Sequence, residues 1–329
     1  MARTSCAASP VRSPTSSADV PSEPADQLRP KSDADRRACE SLLGLSIGDA
    51  LGAPWEGSGF NPIRMTAPLA PDAAPARWTD DTQMTLSVVE VLIANGRIDQ
   101  DRLAECFASR YEPWRGYGRG MHALLPSIRD GGDWRWLSER LFPGGSYGNG
   151  SAMRVPPLGA YFHDAPVGQV VDEAERSAEV THAHPEAKAG AVATALAAWV
   201  AGRSRDRQPP EPAEWWKALL APLDPSLRVT RGLHMAESLS PDASLSEAVA
   251  RLGNGSHVMC ADTVPLALWI ALRHLDDFAG AIRHAIAAGG DVDTVAAIVG
   301  GIVAARIGAK KIPQKWLTAV EPLPIEDLK

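Results

Sequence analysis

The apolar residues of this chain repeat at helical spacing, and period-2 strands bounded by hairpin signals do not appear. In the stretch RWTDDTQMTLSVVEVL, one helix face is marked at i, i+4, i+7 and i+8 by Met84, Val88, Val91 and Leu92. Asn95-Gly96 predicts where that helix ends. Further helical patterns cover residues 185–202, 210–222, 244–253, 263–275, 276–290 and 295–303. We therefore expect an all-α fold.

The chain divides into two parts by composition. Residues 1–35 are rich in Ser, Pro, Ala and Asp without an apolar period, which is typical of a disordered N-terminal arm. Residues 36–329 carry the helical patterns and are interpreted as one domain, with a loop-rich middle around 112–150. No period between roughly 20 and 50 residues repeats, so a helical solenoid is disfavoured.

Charge and cysteine usage exclude several classes of protein. The net charge is −7 and no Lys/Arg-rich run occurs, so the electrostatic pattern of a nucleic-acid binder is missing. The four cysteines are far apart and form no CxxC pair, which argues against a structural zinc site or a disulfide framework. No segment is long and apolar enough for a membrane span. We expect a cytoplasmic, soluble protein, with a monomer as the default.

Two helix starts carry unusual clusters of oxygen ligands. Thr79-Asp80-Asp81 precedes one apolar helix, and Asp291, Asp293 and Thr294 follow a diglycine before another. Taken alone, an acidic first turn is ordinary capping that complements the helix dipole, and Asp276 and Asp277 before residue 278 are interpreted in that way. Together, however, the two clusters offer four carboxylates and two hydroxyls, a ligand set that suits hard cations such as Mg²⁺.

A third acidic segment, GLSIGDALGAPWEG, adds two further candidates. Glu56 follows glycines that end a helix and allow tight turns, so it lies on a loop from which it can reach a site. Asp49 is interpreted as a residue that supports the site or caps a helix, and surface charge remains an alternative for both.

The glycine-rich loop PGGSYGNGSAMR indicates a binding function. A glycine loop followed by a helix N-terminus can hold phosphate, and we expect a helix to start at residues 151–153, although Asn-Gly is also an ordinary turn. A second glycine-rich stretch, WRGYGRG, contains Gly116 and Gly118. In THAHPEA, residues His182 and His184 point to different sides in most backbones, so at most one is expected to serve a site.

Taken in order, these segments resemble the ADP-ribosylglycohydrolase family. The resemblance rests on GLSIGDALGAPWEG, WTDDTQMTL, GYGRG, GSYGNGSAMR, THAHPEA and GGDVDT, which span residues 40–306. It implies a compact, single-domain orthogonal helical bundle with two Mg²⁺ ions, or Mn²⁺, in a central cleft. Ser151 departs from the pattern, since relatives often have Gly or Ala there.

The resemblance also assigns residues to roles. The implied metal ligands are Glu56, Thr79, Asp80, Asp81, Asp291, Asp293 and Thr294. The implied ADP-ribose contacts are Gly116, Gly118, Gly145, Ser146, Tyr147, Gly148, Asn149, Gly150 and His182, with the histidine near the diphosphate. The candidates for acid and base chemistry, which are not assigned separately, are Glu56, Asp80, Asp81 and Asp291.

The expected function is Mg²⁺-dependent hydrolysis of the glycosidic bond between ADP-ribose and a modified acceptor. Protein arginine is the favoured acceptor; serine, nucleic acid and small-molecule conjugates share the same ADP-ribose half. An alternative of a different class is an immunity or binding protein that neutralises an ADP-ribosylating toxin, with the N-terminal arm blocking the toxin.

Overall fold

The computed structural model describes residues 27–66, 69 and 75–326 of the chain. Within that part the fold is all-α, as predicted: backbone pairing outside helices is limited to isolated bridges. Fifteen α-helices follow one another in chain order. They are α1 (Asp33–Gly52), α2 (Asp80–Asn95), α3 (Gln100–Arg110), α4 (Met121–Arg129), α5 (Trp134–Arg140), α6 (Pro156–Tyr161), α7 (Val167–Glu179), α8 (Pro185–Arg203), α9 (Pro212–Leu220), α10 (Arg228–Ser238), α11 (Leu245–Leu252), α12 (Cys260–Arg273), α13 (Phe278–Ala288), α14 (Val292–Ile307) and α15 (Gln314–Ala319).

The start of α1 corrects the predicted boundary of the N-terminal arm. The sequence placed the arm at residues 1–35, but α1 begins at Asp33, where Ser32 and Asp35 form a reciprocal capping box. Just before it, Leu28 is buried, and its backbone N–H donates to the carbonyl oxygen of Pro324. Capping and burial therefore order the last part of the predicted arm. Residues 1–26, on which the toxin hypothesis depends, lie outside the described residues, so that hypothesis stays a hypothesis.

Helices α1 and α14 cross at unusually short distance in the centre of the molecule. A Cβ atom on Gly48 would lie 2.0 Å from the carbonyl oxygen of Ala296, so only glycine permits this approach. One turn later, a Cβ on Gly52 would lie 2.7 Å from the Cα of Asp293. The crossing therefore brings the end of α1 against the start of α14, and it places Asp49 and the loop after α1 beside the acidic residues of α14.

The C-terminal segment braces the residues that lead into α2. Arg115 donates to both carboxylate oxygens of Glu321, at 2.7 and 2.9 Å, and to the backbone carbonyl of Trp78 at 3.0 Å. Its guanidinium also lies 3.6 Å from the centre of the Trp78 ring. Since Trp78 directly precedes Thr79, these contacts fix the approach of the chain to the start of α2.

The described part of the chain contains no helix that is both long and apolar enough to cross a membrane. Its three cysteines, Cys39, Cys106 and Cys260, are all buried and unpaired. Burial raises the pKa of each thiol to about 12, so none of the three is a reactive thiolate near neutral pH.

Candidate active site

The start of α2 is held in place by a buried carboxylate on α1. Asp49 accepts hydrogen bonds from the backbone N–H of Thr79 at 2.9 Å and of Thr82 at 3.0 Å, and from the Thr82 hydroxyl at 2.5 Å. Asp49 is fully buried, so the alternative of surface charge is wrong and the supporting interpretation is right. Thr79 caps α2 as expected, because its hydroxyl accepts from the N–H of Asp81.

The start of α14 is shaped by the two glycines before it. Gly289 and Gly290 have φ values of 70° and 80°, which favour glycine, and a Cβ on Gly290 would lie 2.2 Å from the carbonyl oxygen of Asn254. Asp291 occupies the N-cap position, yet its side chain makes no capping hydrogen bond. Instead its Oδ2 accepts from the Nδ2 of Asn149 at 2.6 Å. The carboxylate is therefore turned away from its own helix.

The two helix starts meet, as the sequence predicted. The hydroxyl of Thr294 donates to Oδ2 of Asp81 at 3.4 Å across the gap between α14 and α2. Oxygen atoms of Glu56, Asp291 and Asp293 lie within 4.8 Å of one another. Glu56 is exposed on the loop after α1, whereas both aspartates are buried. Carboxylates from three separate segments thus surround one small volume.

This cluster is electrostatically costly as protein alone. Burial, and then repulsion from Asp49, raise the pKa of Asp80 and of Asp81 well above the usual range. Burial and the neighbouring Asp291 do the same to the pKa of Asp293, and less strongly to that of Glu56. Such buried like charges require either protons or a cation.

A hard divalent cation fits the arrangement. No Lys or Arg forms an ion pair with the clustered carboxylates among the described residues. The Oδ1 atom of Asp81 is buried and has no hydrogen-bond partner, so it is free to coordinate an ion. The donor atoms are all oxygens, and Mg²⁺ and Mn²⁺ prefer such ligands to the nitrogen and sulfur sites of zinc.

Next to the acidic cluster lies a cleft of about 360 Å³. Its wall contains fourteen of the sixteen residues that the sequence nominated, namely Glu56, Asp80, Asp81, Gly116, Gly118, Ser146, Tyr147, Gly148, Asn149, Gly150, His182, Asp291, Asp293 and Thr294. Two nominated residues are not part of this wall. Thr79 caps α2, and Gly145 packs behind the loop, where a Cβ would lie 2.8 Å from the backbone nitrogen of His184.

The glycine loop differs from the prediction in how it ends. An α-helix was expected to start at residues 151–153, but residues Asn149–Ser151 form a single 3-10 turn and α6 begins only at Pro156. The expectation was wrong because Pro156 and Pro157 favour a helix start after residue 155 rather than before it. The Asn149 side chain is also engaged, donating to Asp291 and, at 2.9 Å, to the hydroxyl of Thr263. The loop is thereby tied to the acidic cluster.

The two histidines of THAHPEA separate as predicted. His182 is buried and lines the cleft. His184 caps α8 through its ring nitrogen Nδ1, which accepts from the N–H of Glu186, and its ring meets that of Tyr147 edge-on at 5.6 Å between centroids. Of these two histidines, only His182 is therefore available to a ligand in the cleft.

The sequence did not single out several residues that the structure places at the site. Arg154 is fully buried beneath the glycine loop and donates to the carbonyl oxygen of Gly150 at 3.1 Å. The loop before α12 contributes His257, Val258 and Met259 to the cleft, and Val258 has a φ of 55°. The available signals were an arginine within the motif GSYGNGSAMR and the Asn-Gly turn at 254–255.

Comparison with known proteins gives one consistent answer. Residues 30–329 match the family model described as ADP-ribosylglycohydrolase. The ADP-ribosylhydrolase ARH3 of Bos taurus is 30% identical over 330 residues, covering 87% of this chain and 88% of the relative. The ADP-ribosylarginine hydrolase Tri1 of Serratia proteamaculans is 26% identical over 312 residues, covering 88% of this chain and 76% of the relative.

A solved structure agrees with the sequence relatives. The chain titled ADP-ribosylglycohydrolase-related protein complex superimposes with a TM-score of 0.59 at 26% identity, covering 88% of this chain and 93% of that chain. The family model, which matches residues 30–329, includes every residue of the cleft wall.

Proposed function

Because this chain belongs to the ADP-ribosylglycohydrolase family, we propose that its cleft releases ADP-ribose from a modified acceptor with the help of bound Mg²⁺. Cleavage of an ADP-ribosyl glycosidic bond is the activity of the family. The metal, the residues and the acceptor are the parts that we propose. The observation that carries the proposal is the meeting of two acidic helix starts, with an unpartnered carboxylate oxygen on Asp81, beside a glycine-lined cleft.

The proposed metal ligands come from three segments. They are Glu56, Thr79, Asp80, Asp81, Asp291, Asp293 and Thr294, and their number supports the expectation of two ions. When bound, Mg²⁺ supplies a Lewis acid that polarises oxygen ligands and lowers the pKa of water. Asp49 keeps this set in place by holding the backbone of Thr79 and Thr82.

The neighbouring wall is proposed to hold the ADP-ribose. Gly148 and Gly150 lie beside His182 on one side of the cleft. The amide of Gly148 donates to the Ser146 hydroxyl at 3.3 Å, so the amide of Gly150 is the one that we propose to donate to a phosphate oxygen. Gly116 approaches the other side, since a Cβ there would lie 3.6 Å from Oδ1 of Asp80. A ribose placed between the two sides has its anomeric carbon next to the acidic cluster.

Glu56 is the proposed proton carrier. Cleavage at the anomeric carbon builds positive charge on the sugar, and it needs a group that takes a proton from water or gives one to the leaving group. Among the four candidate carboxylates, Glu56 is the exposed one, and burial together with Asp291 raises the pKa of its carboxyl group. Asp80, Asp81 and Asp291 are enclosed by the two helix starts and are better placed as ligands.

Arginine is the acceptor that we favour. A guanidinium leaving group is cationic, and the exposed carboxylate of Glu56 complements its charge at the edge of the acidic cluster. The relative Tri1 is named an ADP-ribosylarginine hydrolase, whereas ARH3 is named only an ADP-ribosylhydrolase.

A substrate panel tests both the metal and the acceptor. Proteins carrying ADP-ribose on arginine or serine, ADP-ribosylated nucleic-acid ends and small ADP-ribose esters are incubated with wild type, Glu56→Gln and Asp291→Asn, in Mg²⁺ or EDTA. We expect release from arginine by wild type in Mg²⁺ only. Asp276→Asn is the matched control, because Asp276 is an acidic helix-start residue outside the cleft that pairs with Arg306. Equal release in EDTA would reject the metal, and faster release from another acceptor would reject arginine.

A further inference from the structure

A buried arginine lies behind the glycine loop without a carboxylate partner in the described part of the chain. Arg154 is fully buried, and its Nη2 donates to the carbonyl oxygen of Ser177 at 2.6 Å. Its Nη1 donates to the carbonyl oxygen of Gly150 at 3.1 Å and to the hydroxyl oxygen of Thr181 at 2.9 Å. A guanidinium only donates hydrogen bonds, so Thr181 Oγ1 must be an acceptor in this contact.

The same hydroxyl also touches the histidine that lines the cleft. Thr181 Oγ1 lies 2.7 Å from Nδ1 of His182, and in that contact either atom can in principle be the donor. If Nδ1 carried the proton, Thr181 would accept twice, and its own proton would have no acceptor in a buried position. If Thr181 donates to Nδ1, both the hydroxyl proton and Nδ1 have a partner. Buried polar groups are nearly always satisfied, so the second arrangement is preferred.

The other ring nitrogen of His182 faces the glycine loop. A Cβ atom on Gly148 would lie 3.3 Å from Nε2, and one on Gly150 would lie 2.9 Å from it. No residue in the described part of the chain forms a hydrogen bond with Nε2. The glycines therefore leave space in which this nitrogen can meet a ligand.

We propose that Arg154 and Thr181 form a relay that sets the tautomer of His182, so that Nε2 carries the proton and donates a hydrogen bond to an anionic oxygen of the bound diphosphate. That the acceptor is an oxygen of the diphosphate rests on the proposed function, whereas the assignment of the tautomer does not. Arg154 and Thr181 are positioning residues, because they act on the ligand only through the ring. Burial, followed by the charge of Arg154, lowers the pKa of His182 to about 3, so the ring is neutral near pH 7. A neutral ring can donate a hydrogen bond from Nε2 to an anion only if Nε2 carries the proton. The relay therefore determines whether His182 can bind the anion.

Nitrogen NMR of the free protein tests the tautomer directly. The chain has eight histidines, and the spectrum of His182→Gln identifies the signals of His182 by their absence. We expect wild type to show a protonated Nε2 and an unprotonated Nδ1. An Nδ1-protonated ring, or a doubly protonated ring near pH 7, would overturn the relay without any reference to ligand binding.

Substitutions at Thr181 then test the effect on binding. Thr181→Val keeps the volume but removes the hydroxyl, so we expect the His182 ring to become a mixture of tautomers. The Kd for ADP-ribose should rise about tenfold, the scale of a hydrogen bond to a charged group. Thr181→Ser restores the hydroxyl and should restore both the tautomer and the Kd. The effect should appear in KM rather than in kcat, since His182 does not belong to the acidic cluster.

Thr194→Val is the matched control for a lost buried hydroxyl. Thr194 is fully buried in α8, and its hydroxyl has no hydrogen-bond partner. We expect the tautomer of His182 and the Kd to stay at wild-type values in this variant. An unchanged tautomer in Thr181→Val would reject the relay. A wild-type protein with the expected tautomer but no affinity for ADP-ribose would reject the proposed function and leave the relay standing.

Discussion

Two helices of this molecule start with paired aspartates, and the two pairs differ in the partners that surround them. Asp277 caps α13 by accepting from the N–H of Gly280 at 2.9 Å, and Asp276 is exposed and forms an ion pair with Arg306. At the start of α2, Asp80 and Asp81 have no cationic partner among the described residues, and burial raises the pKa of both. The sequence pattern is the same, so the difference arises from the surroundings. Because no cationic side chain among the described residues compensates Asp80 and Asp81, we expect a cation to bind beside them.

The largest expected effect is on activity. Asp81→Asn should lower kcat/KM for the preferred acceptor at least about 100-fold, because a metal ligand contributes several kcal/mol of charge stabilisation. Asp277→Asn should leave kcat/KM within about twofold of wild type, since asparagine also caps helices well. Steady-state hydrolysis assays in saturating Mg²⁺ compare the two variants. Similar losses in both would mean that the two helix starts do not differ in function.

The next effect is on stability without metal. Burial raises the folded-state pKa of Asp81 above the reference value of 3.8, so the fold favours the protonated carboxyl group. The contribution of this group to stability is fully present below pH 3.8. The contribution is lost as the pH rises through the folded pKa. Between pH 5 and pH 7 in EDTA, wild type should therefore lose stability relative to Asp81→Asn, by up to about 2.7 kcal/mol for one proton over two pH units.

Urea denaturation at the two pH values measures this difference, with Asp277→Asn as the control that should follow wild type. Adding Mg²⁺ at pH 7 should stabilise wild type, by about 2.7 kcal/mol at a concentration of 100 Kd, and it should stabilise Asp81→Asn much less. Parallel pH curves for wild type and Asp81→Asn would show that Asp81 does not carry the charge penalty.

Most of the fold follows from local sequence patterns. The helix after residue 79 ends at Asn95 with Gly96 in the left-handed conformation, as Asn95-Gly96 predicted, and α8 begins at the predicted Pro185. These features depend on spacing and capping, which are local properties. The end of the glycine loop was mispredicted, because the glycine pattern was given more weight than the two prolines at 156 and 157.

The site was only partly predictable, because its decisive contacts are long-range. That Asp80 and Asp81 meet Asp291 and Asp293 was inferred from matching ligand types and from the family resemblance. Spacing alone does not determine it. Asp49 looked ambiguous because its burial depends on the close crossing of α1 and α14 at Gly48. Arg154 was missed because a single arginine in a motif does not reveal that its partners are Ser177 and Thr181.

The smallest expected effect is on stability, and it distinguishes a helix-capping aspartate from a metal-binding one. Asp277→Ala removes the hydrogen bond to the N–H of Gly280, so it should cost about 1 kcal/mol of stability in urea denaturation and leave kcat/KM unchanged. Asp291 occupies the same N-cap position on α14 but makes no capping hydrogen bond. In EDTA, Asp291→Ala should therefore show no capping loss, while in Mg²⁺ it should lose activity. A stability loss in Asp291→Ala as large as that of Asp277→Ala would contradict the distinction, because it would mean that both aspartates act as caps.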